Sequence, residues 1–138
     1  MTLIDDVQVF TLPSMQDNLG KLVIAEEGAS IPIDICRVFI VSGSPEVVRG
    51  KHAHKILTQI YVCISGSCEI TYDDGNQRRE VRLDSSEKAL KVPPGIWAEQ
   101  RYIGQNSILM VLCDYPYDES DYIRDYGDFL AYRQDVSI

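Results

Sequence analysis

Histidine is scarce in this sequence: 138 residues contain two, His52 and His54. Any imidazole chemistry is therefore carried by one tripeptide. No apolar run approaches the ~20 residues needed to cross a bilayer, which predicts no membrane association. The first residues, Met1 to Asp6, include two acids and no basic stretch ahead of an apolar run. That predicts no secretory signal and a cytoplasmic protein. The four cysteines (Cys36, Cys63, Cys68 and Cys113) show no CxxC spacing and no dense framework. Cys36, Cys63 and Cys113 sit in apolar runs, where a free thiol behaves as a small core residue, so a reduced compartment is expected. Basic charge is in deficit, with 13 Lys and Arg against 21 Asp and Glu, a net charge of −8. This excludes general nucleic-acid binding, whose affinity comes mostly from basic side chains on phosphates. A small anionic ligand needs only a few converging arginines, and Arg37, Arg49 and Arg101 are available.

What is present is an ordinary globular composition, 45% hydrophobic and 25% charged. The length fits one domain over residues 1–138. Short β-like runs recur between turn signals: 21–25, 35–41, 59–64, 68–72, 80–83, 89–92 and 107–113. Asp73-Asp74-Gly75-Asn76 reads as a hairpin turn, because Asp-Gly readily takes positive φ. With no helical periodicity between these runs, the fold class is all-β, a sandwich or barrel. In the tail, Tyr122, Tyr126 and Phe129 stand at helical spacing, which predicts short helices packed on the barrel and interrupted near Gly127.

The chemistry centres on Arg49-Gly50-Lys51-His52-Ala53-His54-Lys55. On a strand, residues i and i+2 project from one face, so both imidazoles would enter one cavity if that face is interior. The same spacing also fits two exposed histidines on a strand edge, and the pair alone leaves both open. Histidine moves protons near neutral pH, and two neighbouring imidazoles oppose each other's protonation, keeping one neutral as a base.

The context resembles the two motifs of cupin barrels. After His52-x-His54, four residues lead to Gln59 and six more to Gly66; later comes Pro93-Pro94-Gly95-Ile96-Trp97-Ala98. In a metal-binding cupin the Gln59 position is Glu and the Ala98 position is His. Two of four ligands are replaced here, including the anionic one, which leaves two neutral imidazoles and a weak metal site. No metal and no other cofactor is expected.

The string from Arg49 to Lys55, then Gln59, Gly66-Ser67-Cys68 and Asp73-Asp74-Gly75 resembles the dTDP-4-keto-6-deoxyglucose 3,4-ketoisomerases, a WxcM-like family of small RmlC-like jelly-roll cupins. Asp17-Asn18-Leu19-Gly20, Ile31-Pro32-Ile33 and Arg37-Val38 resemble its opening; Tyr117-Asp118-Glu119, Asp121-Tyr122-Ile123-Arg124 and Tyr126 resemble its tail. The resemblance spans nearly the whole chain. It implies a metal-free homodimer whose substrate is a dTDP-linked 4-keto-6-deoxy sugar. The product would be the 3-keto isomer, later aminated to a 3-amino-3,6-dideoxyhexose, as in lipopolysaccharide O-antigen biosynthesis. It further implies that His52 and His54 divide the acid and base roles.

Arg37 and Arg49 are candidates for the diphosphate or a developing enediolate, since guanidinium suits both; each could instead be solvated or ion-paired. Trp97 could face a sugar or belong to the core. Gln59 is a candidate partner of an imidazole or ligand, and Tyr61 and Glu99 complete the set. Leu19 and Ala98 stand where the resemblance places residues associated with stereochemistry at C4, and both are apolar here. Two other functions compete: a sugar-nucleotide epimerase, which would pair one His with an Asp and a Tyr, and a non-catalytic sugar-nucleotide-binding cupin.

Overall fold

Two long, bent strands organise the chain, whose computed structural model describes residues 1–136. The last two residues of the expected 1–138 domain lie outside the described residues. In chain order the strands are β1 (Gln8–Thr11), β2 (Ser14–Asp17), β3 (Gly20–Val23), β4 (Arg37–Ser42), β5 (Val48–His54), β6 (Gln59–Asp73), β7 (Arg78–Leu83), β8 (Lys88–Val92), β9 (Trp97–Cys113) and β10 (Tyr122–Ile123). One helix follows, α1 (Tyr126–Val136). Every strand pairing is antiparallel.

β6 and β9 pair with each other along their length and change outer partners halfway. The first part of β6 pairs with β8 and the last part of β9 with β4; beyond the bend, β6 pairs with β7 and β9 with β5. The result is two half-sheets, β1-β8-β6-β9-β4 and β7-β6-β9-β5-β10. Their inner faces meet, as in a jelly roll. The bend lies at two register shifts between Cys63 and Ser67. Gly66 stands there at φ 71°, with Ser107 filling the space a Cβ would take, so only glycine suits that position.

The sequence marked 65–67 as a turn ending one strand; the chain instead bends there and continues as β6. It also marked only 107–113 as strand, whereas β9 begins at Trp97. The early part of β9 alternates buried Ala98, Gln100 and Tyr102 with half-exposed Glu99, Arg101 and Ile103. That alternation is strand-like but its buried positions are partly polar, which masked it.

The inner core draws Tyr61, Cys63, Leu90, Leu109 and Val111 from one half and Cys68, Ile70, Leu83, Ala98 and Tyr102 from the other. Each outer face has its own cover. Segment 31–35 and Leu12 lie on Ile60, Val62, Ala89 and Leu112, and α1 lies on Ala53, Trp97 and Ile123 through Phe129. The helix runs through Gly127 without a break, and Asp125 Oδ1 accepts from Asp128 N at 2.9 Å, an N-terminal cap. Tyr126 and Phe129 are on this helix as the spacing implied, but Tyr122 is not; it belongs to β10. All four cysteines are free, and Cys36 is exposed rather than in the core. No helix among the described residues is long and apolar enough to cross a membrane.

Candidate active site

β5 ends in a distortion that sets up the site. Gly50 at φ 82° and Lys51 at φ 54° are both left-handed, and the β5–β9 register slips between Gly50 and His52. This is the signature of a β-bulge. Past it, His52 pairs with Ala98 and His54 with Tyr122. Ala98 belongs to the inner core, so the shared face of these residues is the interior. Ala53, between the histidines, faces outward under α1. The edge reading of the pair is thereby set aside: His52 is half-buried and His54 is buried.

The two imidazoles meet edge to face with centroids 4.9 Å apart, and the Tyr122 ring lies 5.0 Å from His52 and 4.3 Å from His54. His52 Nδ1 is 3.0 Å from Gly50 O. A carbonyl only accepts, so Nδ1 is the donor and Nε2 of the neutral ring has the lone pair. His54 Nδ1 is 2.9 Å from Asp121 Oδ2, and its Nε2 is buried without a hydrogen-bond partner. Burial, reinforced by the neighbouring imidazole, depresses His52 to a pKa of about 4. Burial also holds His54 below the ordinary histidine value, although Asp121 opposes the shift. Both rings are therefore neutral at pH 7.

Inside the sandwich a cavity of about 90 Å³ is lined by Arg49, Gly50, His52, Gln59, Tyr61 and Gln100, closed by apolar side chains. Its polar groups are linked. Tyr61 Oη donates to Gln59 Oε1 at 2.8 Å and accepts from Gln100 Nε2 at 3.1 Å. Gln59 Nε2 and Arg37 Nη2 both point to Cys113 Sγ, at 3.9 and 3.8 Å. Burial pushes the Tyr61 phenol far up and that of Tyr102 to about 12. Both remain neutral donors. Arg37 lies against the rings of Phe39 and Tyr117, with centroid distances of 5.4 and 5.6 Å. Its Nε is buried without a partner, and no carboxylate among the described residues pairs with it.

The sequence candidates thus divide. His52, His54, Arg37, Gln59, Tyr61 and Ala98 converge on the interior, and Arg49, exposed, lines the edge of the cavity. Trp97 and Glu99 do not converge there. They alternate with the inward residues, so Trp97 packs under α1 against Tyr126 and Phe129, with centroids 5.3 and 5.7 Å away. Its Nε1 donates to Glu99 Oε2 at 2.8 Å. Leu19 sits between β2 and β3, 90% exposed, and lines a surface hollow separate from the histidines. Arg101 is held at the surface by Glu46 and Glu69.

Three residues at the candidate site escaped sequence reasoning: Asp121, Tyr122 and Gln100. Gln100 was legible as the inward residue two places after Ala98. Asp121 lies 67 residues from His54 in sequence and Tyr122 follows it, a proximity that periodicity does not carry. As for metal binding, no group of three or more His, Cys, Asp or Glu among the described residues is placed to hold an ion.

Comparison with known proteins agrees with this geometry. The family model described as WxcM-like, C-terminal (FdtA) matches residues 5–134. The TDP-4-oxo-6-deoxy-alpha-D-glucose-3,4-oxoisomerase of Aneurinibacillus thermoaerophilus is 39% identical over 132 residues, 95% of each chain. The sugar 3,4-ketoisomerase QdtA of Thermoanaerobacterium thermosaccharolyticum, solved with TDP, superimposes with a TM-score of 0.93 at 28% identity, over 99% of this chain and 100% of that one. The TDP-quinovose 3,4-ketoisomerase WlaRB of Campylobacter jejuni gives 0.86 at 32% identity, over 93% and 99%. The chain belongs to the WxcM-like family of sugar 3,4-ketoisomerases, on a cupin-type jelly roll.

Proposed function

We propose that this chain, acting as one cupin domain, converts a dTDP-linked 4-keto-6-deoxyhexose into its 3-keto isomer through an enediol. The observation that carries this reading is the pair of inward, neutral imidazoles, each with Nδ1 engaged, and with Nε2 of His54 buried and unpartnered. One imidazole takes the proton from C3 and returns it at C4. The other takes the proton of the 3-hydroxyl and delivers it to the former carbonyl oxygen. Each proton taken is returned, so both rings end as they began. His52, with its low pKa, is a strong acid when charged and releases its proton readily. Arg37, with no carboxylate partner among the described residues and beside His54, suits the developing enediolate or the diphosphate.

Support for the substrate class comes from relatives: one is named for a TDP-4-oxo-6-deoxyglucose reaction, and a His-to-Asn variant of QdtA is solved with TDP-4-keto-6-deoxyglucose. The chemistry needs neither metal nor redox cofactor, because the net change is an internal shift of two protons. The product would feed an aminotransferase making a 3-amino-3,6-dideoxy sugar, in the cytoplasm and outside any role with nucleic acid or membrane.

The reading includes a homodimer. Met15, Leu19 and Leu22 project from the β2–β3 hairpin, and Val38 and Ile40 from β4, all about half exposed or more. A partner subunit covering them would remove this apolar surface from water. Light scattering tests it, with the mass of two chains expected and that of one chain contradicting it.

A second reading, a sugar-nucleotide epimerase, draws on one observation: His54 stands with Asp121 and Tyr122, the His, Asp and Tyr set expected of that activity. Incubation with dTDP-4-keto-6-deoxyglucose and an aminotransferase specific for 3-keto sugars separates the two. A 3-amino sugar supports isomerisation. A product with its carbonyl still at C4 and solvent deuterium at C5 supports the epimerase. Tight dTDP binding with neither change leaves a non-catalytic sugar-nucleotide-binding cupin.

A further inference from the structure

We infer that Cys63 and Cys68 are a thiol pair that closes to a disulfide under peroxide, bracing the bend of β6 and slowing turnover. The effect on turnover rests on the isomerase reading of the cavity; the bridge itself does not.

The two thiols face each other across the bend, one from each half-sheet, with Sγ atoms 3.6 Å apart. Both residues belong to the inner core, 1% and 0% exposed. The register shifts on either side of Ser65 and the left-handed Gly66 turn the strand sharply enough for side chains five residues apart to meet. β9 holds this corner from behind: Ser107 Oγ accepts from Ser67 N at 3.1 Å and donates to Ile103 O at 2.5 Å. Closing the gap to the ~2.0 Å of an S–S bond takes side-chain rotation and a small inward shift of the strands.

The hydrogen bonds of the pair assign the order of events. Cys63 S–H donates to Ser65 O at 3.2 Å, which leaves its sulfur to accept from Cys68 S–H. That bond, opposed by burial, holds the Cys63 thiol below its ordinary value; the same bond, with burial, pushes Cys68 up. Cys63 is therefore the nucleophile. Three exposed residues, 64–66, follow it, so a small oxidant reaches it through the bend. The Cys63 thiolate attacks one oxygen of hydrogen peroxide and the O–O bond breaks. A sulfenic acid forms, and the released hydroxide takes the thiol proton as one water. The Cys68 sulfur then attacks the Cys63 sulfur, the S–O bond breaks, and hydroxide leaves with the Cys68 proton as a second water. The two thiols lose two electrons and the peroxide gains them.

The bridge stands behind the cavity. Cys63 lies opposite Leu109 and Cys68 opposite Tyr102 on β9. Leu109 and Tyr102 line the cavity, as does Tyr61, two residues before Cys63. Drawing the half-sheets together at the corner moves that wall.

The test treats the full chain with hydrogen peroxide. Wild type is expected to lose two hydrogens from its intact mass, with peptide mapping placing the bond between Cys63 and Cys68 and dithiothreitol reversing it. In the bridged form kcat/KM for dTDP-4-keto-6-deoxyglucose is expected to fall about 10-fold, less than the ~10² that a 1 Å shift of a catalytic group costs, and to recover with dithiothreitol. Cys68→Ala should form no bridge and accumulate a sulfenic acid at Cys63 that dimedone labels. Cys63→Ala should form neither and keep its turnover through the same treatment.

An unbridged wild type, a bond through Cys36 or Cys113 instead, or a bridged form with unchanged kcat/KM would overturn the inference. Mass and mapping need no turnover. If the bridge forms in a chain that does not isomerise the sugar, the function fails while the thiol pair stands.

Discussion

Gln100 occupies the space that a side chain at Gly50 would need: a Cβ built there collides with the Gln100 amide. Gln100 stands opposite Arg49 and Glu99 opposite Gly50 across β5 and β9, so the two are diagonal neighbours, and the contact explains why the bulge carrying His52 begins with a glycine. Gly50 O also accepts from His52 Nδ1, so one residue sets both the path of the strand and the orientation of the His52 ring. Replacing Gly50 by Ala adds a left-handed non-glycine residue, worth about 1–2 kcal/mol of strain, and displaces Gln100. We expect a lower denaturant midpoint for Gly50→Ala. We also expect a drop in kcat of about 10²-fold, the effect of shifting a catalytic group by ~1 Å. Chemical denaturation and steady-state kinetics read the two separately.

The low pKa of His52 makes stability depend on pH in a defined window. Its value falls from 6.5 to about 4 in the fold. Between these values the unfolded chain binds a proton that the native state does not, so stability declines as pH drops from 6.5 toward 4. Above 6.5 the group contributes no slope. Urea midpoints at pH 7 and pH 5 check this, and His52→Gln should lose less stability over that interval than wild type. An equal loss would mean that other groups govern the acid side.

Trp97 is placed to support α1 rather than to contact a sugar. Trp97→Phe keeps an aromatic ring beside Tyr126 and Phe129 but removes the Glu99 hydrogen bond, a loss of about 0.5–1.5 kcal/mol. We expect a modest fall in Tm and an unchanged KM. A raised KM with unaltered Tm would return Trp97 to the binding site.

Arg37 has no carboxylate partner among the described residues and lies beside Tyr122 and Cys113. Arg37→Gln removes the charge while retaining a donor. We expect weaker dTDP-sugar binding or slower turnover, by about 1.5–3 kcal/mol for a charge-assisted bond, with little change in stability. Titration calorimetry with dTDP and kcat/KM measurements distinguish diphosphate contact from enediolate contact.

Much of this site was legible before folding. The His52-x-His54 spacing on a strand, with Gln59 and Ala98 at the two substituted ligand positions, already pointed to proton transfer, and the structure turns all four side chains inward. The face of Trp97 and Glu99 was not legible, because they belong to the strand half hidden by its buried Gln100. The separation of Tyr122 from the helix was also hidden. Tyr122 fits a 3.6-residue period with Tyr126 and Phe129, yet pairing with His54 draws it into β10, and tertiary pairing overrides local periodicity. Asp121 illustrates a further limit: a buried carboxylate next to a distant histidine leaves no trace in spacing.

The most direct test of the whole account follows dTDP-4-keto-6-deoxyglucose by ¹H NMR in D2O with wild type, His52→Asn and His54→Asn. The account predicts that wild type moves the carbonyl from C4 to C3, and that His52→Asn and His54→Asn each slow that conversion by about 10²-fold or more, one of them abolishing loss of the C3 hydrogen. Undiminished loss of the C3 hydrogen with both histidines replaced would contradict it.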